Sequence, residues 1–196
     1  MENLFKKWKV TIPKYDKRFR STIFDVFSKK FGGSEKTKVS LGKHFSNNYE
    51  LYMYAFFLGL YNDEYIEIPE EAELVDFSHA IQFWGNKSKS ERKDFSNLQE
   101  YMFMAVVAKT DFDMVSLEKG KITVVSVVKK LRTTMESYTN GGLNILERQI
   151  EENKGLVLQP TFFLDMILDS KIKDLEIEEL EEEIEEDFQE MEDLND

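Results

Sequence analysis

Residues 47–61 read NNYELYMYAFFLGLY, and this stretch decides the fold class. Asn47 and Asn48 suit a helix N-cap, because an Asn side chain can accept from the first free backbone amides. Beyond them apolar residues fall on every face, the pattern of a central buried helix and not of a half-exposed one. Gly59 inside such a helix costs about 1 kcal/mol relative to Ala. Its presence therefore predicts that another backbone passes close by. The apolar run is interrupted by Glu50 and is shorter than the roughly 20 residues that a bilayer span requires.

Working downstream, Pro69 with Glu70, Glu71 and Glu73 marks a turn or a new helix start. Residues 74–84 read ambiguously. Ser96-Asn97-Leu98-Gln99 has the form of a capping box opening a helix to about Lys109. Gly120 punctuates the chain. Val124, Val127, Val128, Leu131, Met135 and Tyr138 then recur at helical spacing, although Ile122-Thr123-Val124-Val125 leaves a strand open at the start. Asn140-Gly141-Gly142 is expected to break the chain before another helix from Leu143 to Lys154, ended by Gly155. Pro160 opens one more, with Phe162, Phe163, Met166 and Ile167 pointing inward. Upstream, the alternation of Trp8, Val10 and Ile12 before Pro13 predicts a short strand. Ser21 is expected to cap a helix to about Phe31, and residues 34–45 to form a loop or a short strand. The reading is a mainly α, compact multi-helix domain with little sheet.

Charge is distributed unevenly. The chain carries a net −12, yet fourteen acids and no Lys or Arg lie in 174–196, which leaves the rest at +2. The first 50 residues hold twelve Lys/Arg against five Asp/Glu. Such asymmetry points to a polyanion partner, an internal electrostatic brake, or both. Lys6, Lys7, Lys9, Lys14, Lys17, Arg18 and Arg20 alternate with Trp8 and Tyr15. Cations there would displace counterions from a phosphate backbone, and the rings could stack on bases. The competing reading is a solvated surface with Trp8 packed inward. Lys29, Lys30, Lys36, Lys38 and Lys43 extend the positive field. In the acidic tail, Ile177, Leu180, Ile184, Met191 and Leu194 follow heptad spacing with Phe188 beside them. The tail is either a solubilising, mostly disordered segment or a docking helix, which would bind a basic partner protein or fold back onto the basic N-terminal region and compete with DNA there.

Catalytic chemistry is sparse. Cysteine is absent, which removes disulfides and thiolate sites and fits a reducing compartment. MENLFKKWKV has no apolar core of the secretory type, so a cytoplasmic location is expected. His44 and His79 stand alone, with no H-E-x-x-H, phosphate loop or nucleophile elbow. Glu152-Asn153-Lys154 and Asp169-Ser170-Lys171 match the D/E-x-K half of a metal-nuclease signature. In a chain this rich in acids and lysines, roughly three or four such triplets arise by chance, and neither follows a strand hairpin. No catalytic residue, metal or cofactor is therefore expected.

The order of Asn48-Tyr49-Glu50-Leu51 to Ala55 and Leu58-Gly59-Leu60, then Ile68-Pro69, Phe83-Trp84-Gly85, a Tyr101-centred helix, and Leu131, Tyr138 and Asn140-Gly141-Gly142-Leu143 to Leu146 resembles the DndE family of DNA sulphur-modification (phosphorothioation) proteins. The resemblance spans roughly residues 36–150. It implies a small helical, non-enzymatic protein that associates with itself and with a sulphur-transfer machinery and binds DNA, nicked duplex being favoured. By position it assigns Lys36, Lys38 and Lys43 to DNA. Asn140-Gly141-Gly142 is a family hallmark, with Asn140 in place of an Arg that would contact phosphate. Independently of the family, the two glycines allow either a plain helix–helix turn or amides that hold a phosphate at the start of a following helix. The basic N-terminal and acidic C-terminal extensions depart from the family.

Three regions are thus expected: a basic arm and helix over 1–35, a DndE-like helical body over 36–170, and an acidic tail over 171–196. The expected function is a DNA-associated accessory subunit of a bacterial DNA-modification or antiphage-defence system. It would have a protein partner, possible self-association and no membrane contact. The alternatives are an adaptor docking through Ile177, Leu180, Ile184, Phe188 and Met191, and a metal nuclease.

Overall fold

A computed structural model describes residues 2–28, 44–77, 79–85, 96–152, 155 and 159–168. The chain divides into two units, Met1–Lys154 and Gly155–Asp196. The first is mainly helical, with one two-stranded antiparallel sheet. Its elements are α1 (Glu2–Trp8), β1 (Lys14–Asp16), a π-helical turn (Arg20–Phe24) running into α2 (Asp25–Phe27), α3 (Asn48–Tyr61), β2 (Leu74–Asp76), a 3-10 turn (Ile81–Phe83), α4 (Ser96–Lys109), α5 (Met114–Glu118) and α6 (Val124–Glu152). Among the described residues no helix is long and apolar enough to cross a membrane.

The helix read from residues 47–61 is α3, with Asn47 extended at its N-cap. The Asn47 side chain does not cap. It donates to Glu50 Oε1 at 3.0 Å, while Glu50 Oε2 accepts from the Ser46 amide at 2.8 Å. The Glu50 carboxylate thus serves the free amide end from inside the helix. Leu51, Tyr52, Met53, Ala55, Phe56, Leu58 and Gly59 are buried, as a central helix requires. At its far end Asp63 takes a left-handed φ of 49°, and the Glu64 amide donates to Gly59 O at 2.8 Å. This closes the helix in the manner usually left to glycine.

Gly59 meets the backbone its sequence position predicts. That backbone belongs to α6. A methyl built on Gly59 would lie 2.0 Å from Tyr138 O, and one on Gly142 would lie 1.8 Å from Ala55 O. One on Gly141 would lie 1.8 Å from Glu64 O. Asn140-Gly141-Gly142 therefore does not break the chain. It sits inside one continuous 29-residue helix, where the missing side chains let two backbones touch. Local propensity argues for a turn at Gly-Gly, but here packing against α3 overrides it.

Other expectations are corrected in detail. Trp8 ends a helix and is not part of a strand: Leu4 and Trp8, four residues apart, bury one face of α1. The strand lies after Pro13, at Lys14–Asp16. The helical stretch from Arg20 stops at Phe27, and Ser28 is extended. Pro69 makes a turn, with the Ala72 amide on its carbonyl at 3.0 Å. Gln99, read as the far end of a capping box, is buried, and its Nε2 donates to Trp84 O at 2.6 Å. Residues 122–123 stay outside α6, so no strand precedes it.

An aromatic cluster ties the small sheet to α3. Tyr52 and Phe77 have ring centroids 4.9 Å apart, Phe77 and Trp84 5.2 Å, and Tyr15 and Phe24 4.9 Å. In the second unit residues 162–168 are helical; Phe162 and Phe163 are buried but Ile167 is exposed, against expectation. The tail positions Ile177, Leu180, Ile184, Phe188 and Met191 lie outside the described residues, as do most of the nuclease-like triplets.

Candidate nucleic-acid interface

The basic arm is built on α1, β1 and the turn after it. Lys6 and Lys7 occupy the last turn of α1 and are exposed. Lys9 Nζ lies over the Phe5 ring, 5.0 Å from its centroid. Of the two readings of the arm's aromatic residues, the inward one holds for Trp8, which is fully buried against Phe5 and Phe103, and Tyr15 is likewise buried, against Phe24 and Phe77. Helical spacing explains Trp8, and strand alternation explains Tyr15, which is buried between the half-buried Lys14 and Asp16.

β1 pairs antiparallel with β2 in the register Lys14↔Asp76, Tyr15↔Val75, Asp16↔Leu74. Its backbone is anchored from two sides. The Lys14 amide donates to Glu136 Oε1 at 2.7 Å, and the Lys14 carbonyl accepts from Tyr52 Oη at 3.3 Å. Burial raises the Glu136 carboxyl above its ordinary 4.5, against the opposing pull of the Lys14 amide and the Arg132 and Lys14 charges. Burial likewise drives the Tyr52 phenol well up.

The cations of this half of the arm are matched with carboxylates. Lys14 Nζ is 3.8 Å from Asp76 Oδ1, and Lys17 Nζ is 2.5 Å from Glu73 Oε1. The Lys17 amide donates to Glu73 O at 2.9 Å, which holds the two residues side by side. Arg18 is bound through all three guanidinium nitrogens. Nε faces Asp16 at 3.3 Å, Nη1 faces Glu147 at 3.0 Å, and Nη2 donates to Asn144 Oδ1 at 2.5 Å. Its plane also lies 4.2 Å from the Phe19 ring centroid. Among the described residues Lys7 and Arg20 make no ion pair.

Lys17, Arg18, Arg20 and Ser21 line one open groove of about 480 Å³, shared with Asp16, Asp25 and Glu73. A neighbouring cleft of about 350 Å³ brings Arg18 beside Asn140 and Asn144, with Glu71 and Ile66 opposite. Two residues singled out 122 positions apart thus meet, but Asn140 is only 3 % exposed. Its Nδ2 donates to Ile66 O at 3.1 Å and Glu67 O at 3.4 Å. Gly141 and Gly142 are buried and mid-helical, so no free helix start exists there to hold a phosphate. Lys36, Lys38 and Lys43 lie outside the described residues.

What the sequence reading missed is the acidic partner of the arm. Residues 61–76 hold seven acids and no Lys or Arg. This acidic strap crosses the arm through β2 and places Glu73 and Asp76 on Lys17 and Lys14. It also reaches other cations: Asp63 Oδ1 accepts from Lys109 Nζ at 2.8 Å, and Glu64 lies 3.9 Å from Arg148. The hydrogen bond from Lys109 holds the Asp63 carboxyl below its ordinary range. The seven-acid run was the available signal, but nothing local shows which cations it meets. Among the described residues no three His, Asp or Glu converge as a metal cage. Compared with family models, curated proteins and solved structures, the chain matches none.

Proposed function

We propose that this protein is a non-catalytic, DNA-associated accessory subunit, working with a protein partner in a bacterial DNA-modification or antiphage-defence system. The observation that carries the DNA part is the run of exposed cations on the arm: Lys6 and Lys7 face solvent on α1, and Arg20, which makes no ion pair among the described residues, lines an open groove with Lys17 and Arg18 among Asp16, Asp25 and Glu73. A phosphate backbone fits such a surface better than a compact ligand does, because its charges repeat along a line and release counterions cation by cation. The system it serves and self-association rest on the DndE resemblance alone, while a cytoplasmic setting fits the absence of cysteine.

The test is fluorescence anisotropy with short labelled duplex, nicked and single-stranded DNA at low salt. Binding should weaken steeply as salt rises, with a log–log slope of about −0.9 per phosphate neutralised on duplex. Replacing Lys6, Lys7, Lys9 and Arg20 together with Ala should remove most of it. Silence of the wild-type protein toward all three DNAs at the lowest salt would remove the reading.

A further inference from the structure

We infer that the acidic strap is a built-in competitor for DNA: Glu73 and Asp76 occupy Lys17 and Lys14 where phosphates would bind, and DNA engages this half of the arm by exchanging those ion pairs. The inference rests on the DNA reading and names how that surface is regulated.

Three observations support exchange. Both pairs are surface pairs, with Lys17 and Glu73 side chains 48 % and 69 % exposed and Lys14 and Asp76 41 % and 70 %. Such pairs are weak and screened by salt, so a dense polyanion can displace them. Their backbones are held independently of the charges, by the β1–β2 ladder, by the Lys14 amide on Glu136 and by the Lys17 amide on Glu73 O. The carboxylates can therefore swing away without unfolding the sheet. Arg18 differs, because Asp16 and Glu147 are mostly buried partners and Asn144 adds a third bond. Exchange is thus assigned to Lys14 and Lys17, with Arg18 remaining a clasp between the arm and α6.

The experiment compares the wild-type chain with E73Q/D76N on a short labelled duplex across a salt series. The amides keep the shape and remove the competing charges. The variant should bind about tenfold tighter at low salt, each released cation giving a factor of a few. Its salt slope should steepen by up to about two units, since two lysines would now displace counterions instead of trading partners. A control variant, E67Q/E70Q, removes the same net charge from the strap at residues that make no ion pair with the arm among the described residues. Equal tightening by the control would overturn the inference in favour of a general charge effect. Unchanged affinity of E73Q/D76N, with wild-type binding intact, would overturn it while leaving the DNA reading in place. No binding by any form would remove the DNA reading and the inference with it. Matching thermal melts of the three forms establish that the fold is common to them.

Discussion

The seam between α3 and α6 and the strap across β1 join segments far apart in sequence by opposite means. At the seam the joining groups are backbones. At Gly59 and Gly142 a carbonyl oxygen lies 2.0 Å and 1.8 Å from where a side chain would start. At the strap the joining groups are the ends of long, exposed side chains. The first arrangement has no slack and the second has a great deal. Dense packing carries stability because it cannot be rearranged piecemeal, whereas surface charges can change partners at little cost. Function that depends on exchange therefore belongs at the strap, and the seam is the frame that presents it.

The largest effect should come from filling the seam. Ala is favoured over Gly in a helix interior by about 1 kcal/mol, so Gly142→Ala would stabilise α6 if nothing faced it. Instead the new methyl meets Ala55 O, a backbone atom that cannot rotate away. Overpacking against rigid backbone should cost about 3 kcal/mol or more, read as a lower urea midpoint. Gly155→Ala, with open space around it, should change little. A stabilised Gly142→Ala would mean the helices are not in backbone contact.

Next comes Asn140, which joins the seam to the start of the strap. Asn140→Ala leaves the Ile66 and Glu67 carbonyls without their donor and should cost about 1–3 kcal/mol. Asn140→Asp should be worse at neutral pH, since a buried carboxylate would face those same carbonyls. Lowering the pH should recover part of that loss. An Asn140→Ala variant as stable as wild type would show that the amide hydrogens carry no weight.

How much of this was legible beforehand follows from the range of each interaction. The bounds of α3 and the close approach at Gly59 could be read locally, because an apolar run behind a polar Asn pair and a glycine inside that run are local signals, even though the Asn47 side chain does not cap. Gly141-Gly142 carried the same message and was read as a turn, since two adjacent glycines look like punctuation until α3 is placed against them. Lys14, Lys17 and Arg18 were correctly seen as a cluster. Their neutralisation by Glu73, Asp76 and Glu147 depends on strand register and on a contact with a helix more than a hundred residues away, which no local pattern encodes. The brake was sought in the acidic tail, while the described carboxylates that meet the arm come from Asp16, from the strap and from α6.

Glu136 gives a smaller effect that depends on pH. Burial raises its carboxyl in the folded protein above the ordinary 4.5. A carboxyl so raised favours the fold fully below the unfolded value and loses that contribution as pH climbs through the folded value. Glu136→Gln cannot ionise, and its side-chain oxygen can still accept from the Lys14 amide. The stability difference should therefore shift in favour of the variant as pH rises from about 4.5, then level off above the folded value. Parallel melts of the two proteins across that window would show a carboxylate that gains as much from Lys14 and Arg132 as it loses by burial.

The smallest effect should come from the strap itself. Lys17→Glu alone sets two carboxylates where an ion pair stood and should be mildly destabilising. Adding Glu73→Lys restores opposite charges in reversed order, and the double variant should return to within about 0.5 kcal/mol of wild type. The coupling from the full cycle should be only about 0.2–1 kcal/mol, as for exposed pairs generally. A coupling several times larger would mean the pair is held too tightly to exchange, and the contrast with the seam would disappear. DNA affinity separates the two roles further. Lys17→Ala with Glu73→Ala leaves net charge unchanged but removes the cation from the groove, so affinity should fall if Lys17 meets phosphate there and stay level if only overall charge matters.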